Sequence, residues 1–174
     1  VILDPRNGSE HWRIEGPTEQ FVASLVDNGK LLFMTAGFPE HHILAIEPDG
    51  EGDVTETKIV WRTEKSTSYV PSPICQGDYF LVASDSGVTS CFVAATGERL
   101  WMERLVKHYG ASLVSAGGLV YFLADDGIMK VVRPGSVLEV VAENPLGEYC
   151  YASPAISQGQ IFLRGETHLW CIGK

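Results

Sequence analysis

Two neighbouring imidazoles, His41 and His42, are the first residues of this chain with evident chemistry, because imidazole nitrogens are common ligands for zinc and copper. Adjacent residues of an extended chain point to opposite sides, so both rings reach one ion only where a loop bends. Asp49, Glu51 and Asp53 alternate with Gly50 and Gly52, the spacing of carboxylates that opens an EF-hand calcium loop. Val60 stands where such a loop needs its closing Glu, and the segment reads instead as a solvated acidic loop. The cysteines Cys75, Cys91, Cys150 and Cys171 include no C-x-x-C pair, the usual advertisement of a zinc site or a redox dithiol. No G-x-S-x-G elbow, H-E-x-x-H motif or phosphate-cradling glycine loop occurs. The sequence therefore names no catalytic, cofactor-binding or metal-binding residue, and the balance is against an enzyme.

Composition narrows the partners. A formal net charge of −9, with the 13 basic residues spread thinly, excludes nucleic acid, whose phosphates are bound by clustered Lys and Arg. An apolar content of 45% beside 20% charged residues is that of a folded globular chain. No run approaches the roughly 18 consecutive apolar residues of a membrane span. The chain opens on Val1-Ile2-Leu3-Asp4, without an initiator Met or a signal-peptide pattern, which is expected of a piece of a longer protein.

The elements that must position these residues come from a repeat. Ser24, Ser72, Ser112 and Ser153 each open a unit that continues through a Gly turn (Gly29, Gly77, Gly117, Gly159) into an aromatic strand. Offsets of 48, 40 and 41 residues between the serines match a four-stranded propeller blade. In the second unit the alternating pattern and Gly-bearing turns predict strand A at 73–75, B at 79–84, C at 88–94 and D at 99–104. No sustained 3.6-residue apolar period occurs, so helices should be nearly absent. The long first unit carries insertions at 37–42 and 48–58, between B and C and between C and D.

The expected fold is all-β: a propeller of four-stranded antiparallel blades, about four of them, within a single domain spanning 1–174. Residues 17–63, 64–105 and 106–143 form blades, 1–16 supply strands C and D of a split blade, and 144–174 supply strands A to C. Because these ends are complementary, the N-terminal D strand could complete the C-terminal sheet and remove an exposed edge. The arithmetic is met by a closed four-bladed ring or by the C-terminal half of a propeller of about eight blades; the mid-blade beginning favours the half. A half-propeller would be completed by a homodimer.

Two stretches carry a family resemblance. Cys91-Phe92-Val93-Ala94-Ala95-Thr96-Gly97-Glu98-Arg99-Leu100-Trp101 and Ile2-Leu3-Asp4-Pro5-Arg6-Asn7-Gly8-Ser9-Glu10-His11-Trp12 resemble the Ala-x-Asp-x-x-Thr-Gly-x-x-x-Trp signature of pyrroloquinoline-quinone-like β-propeller repeats. The first full unit begins it as Ala45-Ile46-Glu47 before its insertion and Trp61; the third has Val141 in place of Trp. The turn Gly needs a backbone that a Cβ resists, and the Trp packs between neighbouring blades, so Trp12, Trp61 and Trp101 are assigned structural roles. Cys91 and Cys171 hold matching repeat positions and read as small buried hydrophobes. The resemblance implies the quinone (PQQ) and calcium for catalytic relatives, which hold them with adjacent cysteines, a stacking Trp and acidic and amide side chains; no adjacent cysteines occur here. It also implies non-catalytic relatives similar to the outer-membrane-assembly lipoprotein propellers of Gram-negative bacteria, and with them a periplasmic or extracytoplasmic location.

In such a blade the D–A and B–C connections share one face, which is where a protein or peptide partner is expected. His41, His42, Asp85, Asp125, Asp126, Arg164 and Glu166 reach it from B–C turns, and Tyr69, His108, Tyr109 and Tyr151 from D–A segments. Three residues before each opening serine stand Phe21, Tyr69, Tyr109 and Cys150, an aromatic in three units of four. Such rings either line the channel mouth or pack between blades. The alternatives to a scaffold are a fragment of a quinone-dependent dehydrogenase propeller whose cofactor residues lie elsewhere, and a carbohydrate-binding propeller using the aromatic mouth.

Overall fold

Short apolar strands punctuated by tight turns have one way to bury both of their faces: stacked as blades. The computed structural model describes residues 1–16 and 19–173, and among these there is no helix. Strands β3 (Val26–Asp27), β4 (Leu32–Ala36), β5 (His42–Ile46) and β7 (Ile59–Thr63) form the first complete sheet. The second is β8 (Ile74–Gln76), β9 (Tyr79–Ala83), β10 (Val88–Val93) and β11 (Arg99–Arg104), within a residue or two of the sequence reading. The third is β12 (Val114–Ala116), β13 (Leu119–Leu123), β14 (Ile128–Arg133) and β15 (Glu139–Pro145). All three are antiparallel meanders. Two three-stranded sheets flank them: β1 (Ile2–Leu3), β2 (Glu10–Arg13) and β6 (Gly52–Asp53), then β16 (Ala155–Ser157), β17 (Gln160–Arg164) and β18 (Leu169–Gly173).

Alternation along β5 shows how a blade serves two interfaces. Ile43 and Ala45 pack with Phe33, Phe80, Val82 and Phe92 toward the second blade, while Leu44 and Ile46 pack with Trp12 and Val54 toward the N-terminal sheet. Two indoles then bridge neighbouring blades. Trp61 donates its Nε1–H to the Ala94 carbonyl at 2.8 Å and stacks on Phe92 across the gap. Trp101 donates to the Gly135 carbonyl at 3.1 Å. Trp12 is buried in the core against Leu44, Ile46 and Val54.

The opening serines form a relay. The Ser72 Oγ accepts the Ser24 amide at 2.9 Å, the Ser112 Oγ accepts the Ser72 amide at 3.0 Å, and the Ser153 Oγ accepts the Ser112 amide at 3.0 Å. Each blade's innermost strand thus satisfies a backbone donor of the blade before it, which is why the residue recurs.

Two expectations are corrected. Strand β2 does not complete the C-terminal sheet. It pairs with β1 on one side and, in parallel, with β6 on the other, because the insertion at 48–58 folds back and ties the Val54 amide to the Arg13 carbonyl at 3.0 Å. With no fourth strand beside β18 among the described residues, Cys171 is exposed, whereas its repeat equivalent Cys91 is fully buried.

Candidate functional site

The face built from D–A and B–C segments begins with two carboxylates that have a structural task. Asp85 accepts the Tyr69 and Val70 amides, both at 3.1 Å, clamping the D–A segment onto its own B–C turn. Asp125 repeats this one blade on: Oδ1 accepts the Gly110 amide at 2.6 Å and Oδ2 lies 2.5 Å from His108 Nδ1. The equivalent positions in the first and last units are Gly37 and Glu166, the latter matching Asp125 in donating its amide to the D–A segment, at 2.9 Å to the Tyr149 carbonyl. In the last unit Glu148 takes over from the D–A side, and a Cβ at Gly165 would run into its carboxylate. Glu148 accepts the Thr167 amide at 2.9 Å, the Thr167 hydroxyl at 2.6 Å and the Trp170 indole N–H at 2.5 Å. These donors hold its pKa down at about 2.

The aromatic series ahead of the serines divides by burial. Tyr109 is fully buried against Phe122, and burial pushes its hydroxyl pKa up to about 12, so it leaves the candidate surface. Tyr69 is half-buried beside Gly37 and donates its hydroxyl to Gln20 Oε1 at 2.6 Å. Phe21 is 45% exposed. Tyr151 is exposed and stacks parallel to Tyr149, with ring centroids 6.4 Å apart, and Arg164 is exposed at the end of β17. Tyr149, Phe38 and Val70 are exposed on the same loops without having been picked out from sequence. Tyr149 was legible, since residues two apart in extended chain share a side; Phe38 carried no such signal.

The two histidines part company as their adjacency requires. His41 is exposed, with Nδ1 3.3 Å from the Thr67 hydroxyl. His42 is buried in β5 on the Leu44 side, and Phe21 meets its ring edge-on at 6.3 Å. The acidic loop is likewise committed. Asp49 pairs with Lys58 at 2.8 Å, and Asp53 accepts the Thr55 hydroxyl at 2.7 Å, interactions that lower both carboxyl pKa values. Among the described residues no three His, Cys, Asp or Glu side chains converge as metal ligands.

The donor set does not fit the quinone and its calcium. All four cysteines are separate thiols, and burial raises those of Cys75 and Cys91 to about 12, making them poor nucleophiles. Asp49 and Asp53, the acids spaced as if for calcium, are held by Lys58, Thr55 and Arg13.

Comparison with known proteins agrees with the architecture. A family model described as outer membrane protein assembly factor BamB matches residues 1–135. The fold is similar to that of BamB from Moraxella catarrhalis, at a TM-score of 0.75 and 14% identity over 95% of this chain and 50% of that one. This chain thus spans about half the length of that BamB. It is also similar to the computationally designed Ika4 protein, at a TM-score of 0.71 and 13% identity over 95% of this chain and 98% of that one. A europium-containing methanol dehydrogenase matches 75% of this chain and 26% of its own, with a TM-score of 0.53 and 12% identity. A sequence search of curated proteins finds no match.

Proposed function

The chain belongs to the family of the outer membrane protein assembly factor BamB, and from that premise we propose that it is a non-catalytic propeller scaffold, extracytoplasmic like the family, that binds a protein or peptide partner on the face formed by its D–A and B–C segments. The observation that carries this reading is the exposure of large apolar side chains there. Phe21, Val22, Phe38, Val70, Tyr149 and Tyr151 are 38–61% exposed on these loops. Several rings held on one face by hydrogen-bonded loops resemble the aromatic anchors that dominate protein interfaces, and a Tyr ring orders at low entropic cost. Asp85, Asp125 and Glu148 serve the partner indirectly, by holding the loops that present the rings.

The test is site-specific photocrosslinking from positions 38, 149 and 151, with positions 28 and 98 on the opposite turns as controls, in envelope extracts. The reading expects one recurrent polypeptide from the first set and its loss, by at least tenfold, in the Tyr149→Ala/Tyr151→Ala protein. Equal crosslinking from both sets, or no effect of the double substitution, refutes it.

A further inference from the structure

A cleft of about 560 Å³ lies on the outer wall of the molecule, between the N-terminal sheet and the first complete blade. Its apolar lining includes Leu44, Ile59 and Val60. Its rim carries Glu15, Glu40, Glu56 and Glu64, against which Arg62 is the cation among the described lining residues. Among the described residues none of the four glutamates makes a side-chain hydrogen bond; the Glu15 carboxylate forms a loose ion pair, 3.7 Å from Arg13 Nε.

His42 sits in the wall of this cleft. It occupies the same side of β5 as Leu44, which lines the cleft, so its ring projects into the same gap between blades. The residue is 4% exposed, yet neither Nδ1 nor Nε2 has a hydrogen-bond partner. An imidazole buried without hydrogen-bond partners is destabilising, and in a native chain it calls for a partner outside the described fold.

We propose that this cleft binds the arginine or lysine side chain of a basic peptide segment, with the four glutamates receiving the cationic head, the apolar lining taking the aliphatic stem, and His42 completing its hydrogen bonding on the bound chain. The chemistry suits a cation on each count. Carboxylates bind guanidinium bidentately, long basic side chains lay their methylenes along apolar surface, and a neutral imidazole accepts from a cation without repelling it. Burial lowers the His42 pKa, with Glu40 and Glu64 pulling the other way and His41 adding to the lowering, so the ring is uncharged at neutral pH. The site meets the apolar face above where Phe21 packs edge-on to His42, and does not depend on it: one is reached by aromatic rings, the other by charge.

The probe is acetylated tetra-arginine amide, titrated into the protein by calorimetry, with the His42 imidazole followed by nuclear magnetic resonance. The expected result is saturable binding, a shift of the His42 ring resonances, and at least fivefold weaker binding to Glu40→Gln/Glu64→Gln. The Asp78→Asn/Glu98→Gln protein, which loses two exposed carboxylates from turns at the opposite face, should bind within twofold of the original. Equal weakening in both double variants would show an effect of net charge alone and overturn the proposal, as would an unmoved His42 or no binding at millimolar peptide. Circular dichroism confirms that both variants are folded, and the Tyr149→Ala/Tyr151→Ala protein should bind the peptide unchanged.

Discussion

Two glycines at the same turn of the repeat allow backbone strain to be separated from packing. Gly8 and Gly97 both follow a C strand and both adopt left-handed backbone, with φ of +74° and +72°. A side chain in that conformation costs roughly 1–2 kcal/mol wherever it occurs. Beyond Gly8 an added Cβ meets nothing within 4 Å, so Gly8→Ala should lose about that much. Beyond Gly97 the Cβ would lie 2.6 Å from Trp61 Cδ2 and 2.7 Å from Cε3, well inside an ordinary carbon contact. The indole has no room to retreat, being tied to the Ala94 carbonyl at 2.8 Å and enclosed by Phe80 and Phe92. Overpacking of this kind adds about 1–3 kcal/mol, giving roughly 2–5 kcal/mol in all for Gly97→Ala. Urea unfolding followed by tryptophan fluorescence should therefore place the Gly97→Ala midpoint about 1 M below that of Gly8→Ala, taking a slope near 2 kcal/mol/M. Adding Trp61→Leu to Gly97→Ala should cost less than the sum of the two single changes, since the first removes the atoms the second strikes. Equal midpoints for the two alanine variants, or strict additivity in the cycle, would refute the assignment of Trp61 to the neighbouring blade's turn.

Ser112→Ala removes the acceptor for the partly buried Ser72 amide, and a loss of about 1 kcal/mol in urea unfolding is expected, against an unchanged protein for a serine that merely fills space. Glu148 makes a prediction in pH. Its carboxyl is depressed from 4.5 to about 2 in the folded chain by Thr167 and Trp170, so the unfolded chain binds the proton first as acid is added. The stability it contributes is present above about pH 4.5 and is lost as pH falls toward 2. The gap in unfolding midpoint between the original protein and Glu148→Gln should narrow across that window; a gap independent of pH refutes the account.

The architecture was legible because it rests on spacing. Ser72, Gly77, Gly87 and Gly97 punctuate a blade at positions that only a meander of four short strands satisfies, and β8 to β11 fall within a residue or two of their expected bounds. The even stagger of C and D also puts an indole opposite the next blade's turn, which requires no knowledge of distant sequence. What escaped the sequence depends on partners far along the chain. The exposure of Cys171 turns on whether another strand covers β18, and the capture of β2 by β6 turns on how an eleven-residue insertion folds back. Tyr109 and Tyr69 look alike in sequence, yet one is buried and the other half-exposed, because the first unit has Gly37 and an inserted turn where the third has a regular blade.

That contrast bears on where function can sit in a repeat. In the second and third units the acid of the B–C turn is consumed by the clamp on its own D–A segment, and the aromatic ahead of the serine is half-buried (Tyr69) or fully buried (Tyr109). In the first unit the acid is replaced by Gly37, and in the last Glu166 holds its place while Glu148 fastens the turn from the D–A side; it is in these two units that Phe21, Phe38, Tyr149 and Tyr151 stand exposed. His42 belongs to the same pattern, since its place in the second and third blades is filled by Val88 and Ile128, side chains with no hydrogen bonds to satisfy. A repeat that keeps one fastening in the middle units and alters it in the outer ones leaves the outer units free to carry rings and an unpartnered imidazole. Gly37 itself is not free to take the acid back: an added Cβ would strike Tyr69 Cβ and lie 2.8 Å from its Cα, so Gly37→Ala should lose about 1–3 kcal/mol in urea unfolding, and an unchanged midpoint would refute the close approach of the next D–A segment to this turn.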